Sequence, residues 1–154
     1  MSWDHEAPFI LRFTVKAEHI DALEHTNNTQ YVTWCNKAAW AHTTDLGLGA
    51  DAYRSLDRAM ALTKAEYHYL LATRLGEELE VGTWITTWDR RMLMERQMQI
   101  RSVATGETVL RAKLQFVCIE ISTGKPKRPP KAFIDSYTPC LLYTSDAADE
   151  RSWG

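Results

Sequence analysis

The sequence predicts an α+β domain: a five-stranded, curved antiparallel sheet wrapped around one long central helix. Three observations point there. A single strand-like run opens the chain, one long helical periodicity follows it, and four further strand-like runs are separated by short turns.

The elements follow in order. Phe9, Leu11, Phe13 and Val15 alternate with Arg12, Thr14 and Lys16, as in a strand with one buried face. Residues 18–30 are polar, carry two Asn and two His, and read as a loop. Asn28 or Thr29 is expected to cap a helix running to about Leu46. Tyr31, Trp34, Cys35, Ala38, Ala39 and His42 would share its inner face. Gly47 and Gly49 end it, and Asp51–Leu56 form one more short turn. Strand texture then covers about 59–74, 77–89, 91–103 and 107–121, with turns at Leu75-Gly76, Asp89-Arg90 and Thr105-Gly106. The last run is clearest, because Leu110, Ala112, Leu114, Phe116 and Cys118 alternate with Arg111, Lys113 and Gln115. Thr123-Gly124-Lys125-Pro126 turns the chain, and Pro129-Pro130 leads into a short helix through Ile134.

The chain of 154 residues is 45% hydrophobic and 25% charged, within the range of one globular domain. With 18 basic and 20 acidic residues the net charge is -2, which argues against nucleic acid as the main partner. No run is long and apolar enough for a membrane helix, and Met1–Ala7 lacks the features of a signal peptide. Cys35, Cys118 and Cys140 have no paired spacing, so neither a disulfide framework nor a structural zinc site is expected. A cytoplasmic protein is the reading these features support. Residues 140–154 stand apart: back-translated, residues 140–150 resemble a transposon adapter used in sequencing libraries, as in read-through of an environmental gene fragment. The expected domain is therefore residues 1–139, with a non-native tail over 140–154. Without that tail the acids fall to 17, the bases to 17, and the net charge to 0.

The chemistry concentrates at the entry to the long helix. Asp21 stands a few residues before the helix's positive end, where first-turn N–H groups have no intrahelical acceptor. Such donors stabilise an oxyanion developing on a carbonyl, while a nearby carboxylate serves as nucleophile or as general base on water. Together they suit hydrolysis of an activated acyl group such as a thioester. On physical grounds alone, a solvated loop Asp beside a plain Asn28 cap is the commoner reading of the same residues.

The run Asp21-x-x-x-His25-x-Asn27-Asn28-x-x-Tyr31, followed by Trp34, resembles the signature of hotdog-fold thioesterases. These include the 4-hydroxybenzoyl-CoA thioesterase family, the bacterial acyl-CoA thioesterase III group and the plant acyl-ACP thioesterases. Leu114–Glu120 with Thr123–Pro126 resembles the final strand and turn of the acyl-CoA thioesterase III group, so the likeness spans about residues 9–137. It implies an acyl-CoA thioesterase acting on a small-molecule acyl-CoA. No cofactor is implied, coenzyme A being part of the substrate. It also implies subunits paired sheet edge to sheet edge, as a homodimer or homotetramer. Carried over by position, Asp21 matches the catalytic carboxylate, His25, Asn27 and Asn28 the His-Val-Asn-Asn segment, and Tyr31 the helix tyrosine. N–H groups near Asn28 and Thr29 would polarise the thioester carbonyl. Two departures stand out: Thr26 replaces Val, a shape-conserving change of little expected consequence, and Glu24 replaces the Gly of many bacterial relatives. Leu23 stands where the plant enzymes have a catalytic Asn.

Tyr31 and Glu66 are assigned to substrate binding. Lys125, Lys127 and Arg128, with Lys131, form a basic cluster suited to the phosphates of coenzyme A or to an acidic carrier protein, and equally to a solvated loop. The histidines His19, His25, His42 and His68 match no metal-ligand spacing, and no metal is expected. Cys35 and Cys118 read as packing residues, and Trp34, Trp40, Trp84 and Trp88 as mostly core. There is no Gly-x-Ser-x-Gly elbow, which excludes an α/β-hydrolase route. A non-hydrolytic acyl-thioester binding module and an acyl-ACP thioesterase are the alternative functions.

Overall fold

A computed structural model describes residues 3–140. The chain runs β1 (Phe9–Thr14), a 3-10 turn (Ala17–His19), α1 (Asn28–Asp45), α2 (Ala50–Leu56), β2 (Arg58–Tyr69), β3 (Glu78–Trp88), β4 (Leu93–Ser102), β5 (Thr108–Glu120) and α3 (Lys131–Ser136). The five strands form one antiparallel sheet in the order β1-β3-β4-β5-β2, with α1 lying across its inner face. This is the expected hotdog arrangement. Of the expected tail, all but Cys140 lies outside the described residues; the Cys140 N–H donates to the Ile85 carbonyl at 2.8 Å.

Small side chains let α1 sit close to the sheet. Cys35 and Ala38 are fully buried, and Trp34 fills the space beside them. The Trp34 ring meets Phe13 of β1, His19 of the 3-10 turn and Tyr31 of its own helix, with centroids 5.6, 5.2 and 5.7 Å away. One cluster of buried residues lies under the first half of α1. A second gathers where α2 and α3 close the far end, around Tyr53, Trp88, Phe133 and Tyr137.

Two boundaries differ from the expectation. The run expected over 59–74 leaves the sheet after Tyr69, where Leu70 and Leu71 both donate to the Val109 carbonyl. The chain then turns inward, so that Thr73 reaches α1 rather than pairing with β5. The stretch expected as plain loop holds the 3-10 turn and a two-residue bridge between Ile20 and Thr26.

The outer face of the sheet is covered as well. Residues 3–6 lie across β3 and β4: Asp4 takes a two-pronged ion pair from Arg111, and His5 bonds Gln97 at 2.9 Å. The Glu6 carbonyl accepts from the Trp84 indole. Trp3 lies under the Arg101 guanidinium, 4.2 Å away, and against Gly82. A Cβ on Gly82 would stand 2.7 Å from the Trp3 ring, so the strap depends on that glycine. Gly82→Ala is therefore expected to cost roughly 1–3 kcal/mol of stability by displacing the ring. Chemical denaturation of Gly82→Ala in wild-type and Trp3→Ala backgrounds checks this. The cost should vanish in the second background, and an equal loss in both would refute the account.

Candidate functional site

The helix entry is built from a tight hairpin. The Asp21 N–H donates to the His25 carbonyl at 2.9 Å, and the Asn27 N–H to the His19 carbonyl at 2.8 Å. The Glu24 N–H closes the turn onto the Asp21 carbonyl at 3.0 Å. Asp21, His25 and the start of α1 are thereby held in one short segment. The Asp21 carboxylate accepts the Leu23 N–H at 2.9 Å through one oxygen, which orients the group and leaves its second oxygen available. His25 is half-buried and makes no side-chain hydrogen bond among the described residues.

The capping residue is Asn27, a correction to the expected Asn28 or Thr29. Its side chain accepts the Thr29 N–H at 3.0 Å and the Thr29 hydroxyl at 2.9 Å. Asn27 has extended backbone, as a cap requires, whereas Asn28 already has helical geometry. The Thr29 amide is thus occupied. The Asn28 N–H meets no acceptor among the described residues, and points from the helix's positive end.

Glu24 adopts a left-handed backbone with φ of 62°, at the exposed tip of the hairpin. That conformation favours glycine, the residue that the resemblance leads one to expect at this position. The Glu24 side chain makes no ion pair or hydrogen bond among the described residues, so it faces solvent.

Thr26 has a larger role than its resemblance to valine suggests. Its buried hydroxyl bonds the Thr73 hydroxyl at 2.6 Å, and the Thr73 hydroxyl bonds the Tyr31 hydroxyl at 2.8 Å. The Thr26 N–H also donates to the Thr73 carbonyl. This chain of hydroxyls ties the hairpin, the segment after β2 and the first turn of α1 together. Tyr31 is buried, and its hydroxyl is committed to that clasp.

Other residues singled out in the sequence lie elsewhere. Glu66 sits on β2 between Lys64 at 3.4 Å and His68 at 3.7 Å. Lys125, Lys127 and Arg128 are exposed near the turn after β5, with Lys127 paired to Glu120 at 2.9 Å. Burial pushes the Cys35 thiol up to about 12 and the Cys118 thiol up to about 11, so both stay protonated near neutrality. Among the described residues, no group of three or more His, Cys, Asp or Glu is placed to hold a metal.

Sequence reasoning missed the most unusual polar group. Arg96 is 3% exposed, on the inner face of β4 between Met94 and Met98. Its Nη1 donates to His42 Nδ1 at 3.0 Å and to the Thr83 hydroxyl at 2.9 Å; Nη2 reaches the Thr43 hydroxyl at 3.4 Å. Since a guanidinium only donates, His42 Nδ1 must be unprotonated. Burial, then the Arg96 charge, hold His42 down to about 4, against the opposing pull of Asp45. The signal was present: Met94, Arg96, Met98 and Ile100 alternate with Glu95, Gln97 and Gln99, which puts Arg96 in the inward row.

Two consequences are measurable. Thr26→Val should cost roughly 1–2 kcal/mol by leaving a buried hydroxyl short of its partner. An unchanged denaturation midpoint would contradict the clasp. His42 takes its proton near 4 when folded and near 6.5 when unfolded, so the unfolded chain binds more protons between those values. Its contribution to stability is whole above about 6.5 and lost as pH falls toward 4. His42→Gln should flatten the Tm-against-pH curve in that window, and parallel curves would count against it.

Residues 15–136 match the Thioesterase-like superfamily. Protein THEM6 of Danio rerio is 35% identical over 72 residues, covering 47% of this chain and only 35% of that protein's length. The chain is similar in structure to Slr0204, a 1,4-dihydroxy-2-naphthoyl-CoA thioesterase from Synechocystis. The TM-score is 0.76 at 19% identity, covering 85% of this chain and 96% of that one. The Staphylococcus aureus protein SAV2348, solved in complex with CoA, gives a TM-score of 0.80 at 16% identity, over 96% of each chain. These structural likenesses concern the fold. The family match runs from the end of β1 through the hairpin, α1 and the rest of the sheet into α3, and the chain belongs to the thioesterase-like superfamily.

Proposed function

We propose that this chain is a thioester hydrolase that splits an acyl-CoA into a carboxylic acid and the free thiol of coenzyme A. The observation that carries this reading is the hairpin, which ties Asp21 into one short segment with a helix start whose Asn28 N–H is unclaimed. In use, the thioester carbonyl oxygen would take the Asn28 amide as its oxyanion donor. Asp21 then attacks the carbonyl carbon directly, or takes a proton from the water that does. By either route the C–S bond breaks, water supplies the acid's new oxygen, and the sulfur leaves with a proton.

Family membership supports hydrolysis, and the CoA complex of a structural neighbour supports coenzyme A as the carrier group. Lys125 and Arg128 are exposed cations available to its phosphates, and Lys127 would exchange its Glu120 partner for them. A homodimer built on β2 belongs to the same reading. β2 is an edge strand, and Leu62, Tyr69, Leu70 and Leu71 beside that edge are exposed. The free thiols Cys35, Cys118 and Cys140 suit a reducing, cytoplasmic compartment. Among the described residues, no helix is long and apolar enough to cross a membrane.

Asp21→Asn keeps the hairpin's backbone bonds and removes the base or nucleophile. Thiol release from a panel of acyl-CoAs is expected to fall by roughly 10²-fold or more, with the fold intact by circular dichroism. Wild-type turnover in the folded variant would remove Asp21 from the chemistry.

A further inference from the structure

A cavity of about 270 Å³ lies at the seam between the two buried clusters, just under the ~300–1,000 Å³ usual for small-molecule sites. Its walls are mostly apolar, with Trp40, Met60, Leu62 and Phe116 among them. Trp40 is 48% exposed, so it borders solvent as well as the cavity and is not a core residue. The polar part of the wall is Arg96, with Asn36, Thr43, Tyr53 and Tyr137.

Arg96 has no carboxylate partner among the described residues. The groups around it cannot answer its charge. His42 is neutral near pH 7, as its acceptor role toward Arg96 requires. Tyr53 and Tyr137 share a short hydroxyl–hydroxyl bond, and burial raises both above the ordinary tyrosine range, so neither is a phenolate. Asp45, on the solvent side of α1, is exposed and makes no ion pair with Arg96. Donors on Nε and Nη2 meet no further acceptor among the described residues. A buried, uncompensated guanidinium is costly, and in the wall of a cavity whose other polar groups are all neutral it selects for an anion. Guanidinium geometry fits a carboxylate in particular.

We propose that this cavity binds the carboxylate of a short-to-medium, largely apolar acid, with Arg96 as its counter-ion. The acid that fits is a free carboxylic acid, the product class of the hydrolysis proposed above. Arg96 meets α1 at His42, roughly 21 Å along the helix from Asn28, so a short-to-medium acyl group held at the helix start does not reach it. Occupation of the cavity by an acid does not rest on the thioesterase reading.

Calorimetry with octanoate and with 1-octanol, on wild type and on Arg96→Met, tests the site itself. Octanoate should bind at least tenfold more tightly than octanol to the wild type, and the difference should disappear in the variant. Equal binding of the two to the wild type would overturn the proposal even if Arg96→Met failed to fold. So would a preference that survives in the folded variant.

Thiol release from octanoyl-CoA keeps the two readings apart. If the thioester is not cleaved, the hydrolase reading fails while the calorimetric result still decides the acid site.

Discussion

Burial of one face of α1 against the inner face of the sheet is the constraint on which the other features depend. Trp34 is its centre, because it touches β1, the turn before the hairpin and its own helix at once. Cys35 and Ala38 are small enough to keep the helix down on the strands. Larger side chains there would lift it and open voids that a close-packed core does not tolerate. With α1 seated in this way, its first turn is fixed against the hairpin and its second half forms one wall of the cavity. Both ends of the helix therefore acquire polar surroundings of opposite kind. A carboxylate stands near the entry, and a buried cation lies beside the later turns.

These two polar regions are held by different means. The hairpin relies on backbone bonds and on the Thr26–Thr73–Tyr31 clasp, all neutral groups whose bonds are satisfied within the chain. Arg96 is held by neutral partners too, which satisfy some of its donors and none of its charge. Hydrogen-bond satisfaction and charge compensation are separate requirements, and for Arg96 the described residues meet the first in part and the second not at all.

Much of the fold could be read in the sequence because the sheet's inner face is apolar apart from Arg96 and its polar partners. β5 is the plainest case, with Leu110 through Cys118 inward and Arg111, Lys113 and Gln115 outward. β3 was harder to place by alternation, since the strap over Gly82 and Trp84 buries its outer face as well. The end of β2 was overrun because Thr73 looks like any strand threonine, and only its contacts with Thr26 and Tyr31 pull it out of the sheet. The cap fell on Asn27 rather than its neighbour Asn28, a choice set by backbone angles that two adjacent asparagines do not reveal. The place of Asp21 ahead of a helix can be read from the sequence, while its catalytic role comes from the resemblance. Arg96 was passed over because a lone arginine in a strand is ordinarily solvent-facing, although its row of methionines indicated otherwise.

The left-handed turn at Glu24 separates shape from charge. Every bond that closes the hairpin is made by backbone or by the Asp21 side chain, and none by the side chain at position 24. The local potential three residues from Asp21 is therefore adjustable through one position with the loop left standing. An acid there adds a negative field, a glycine removes it and relaxes the backbone, and an asparagine keeps the turn with no charge at all. Position 24 is a tuning point that variation can reach without rebuilding the entry to the helix.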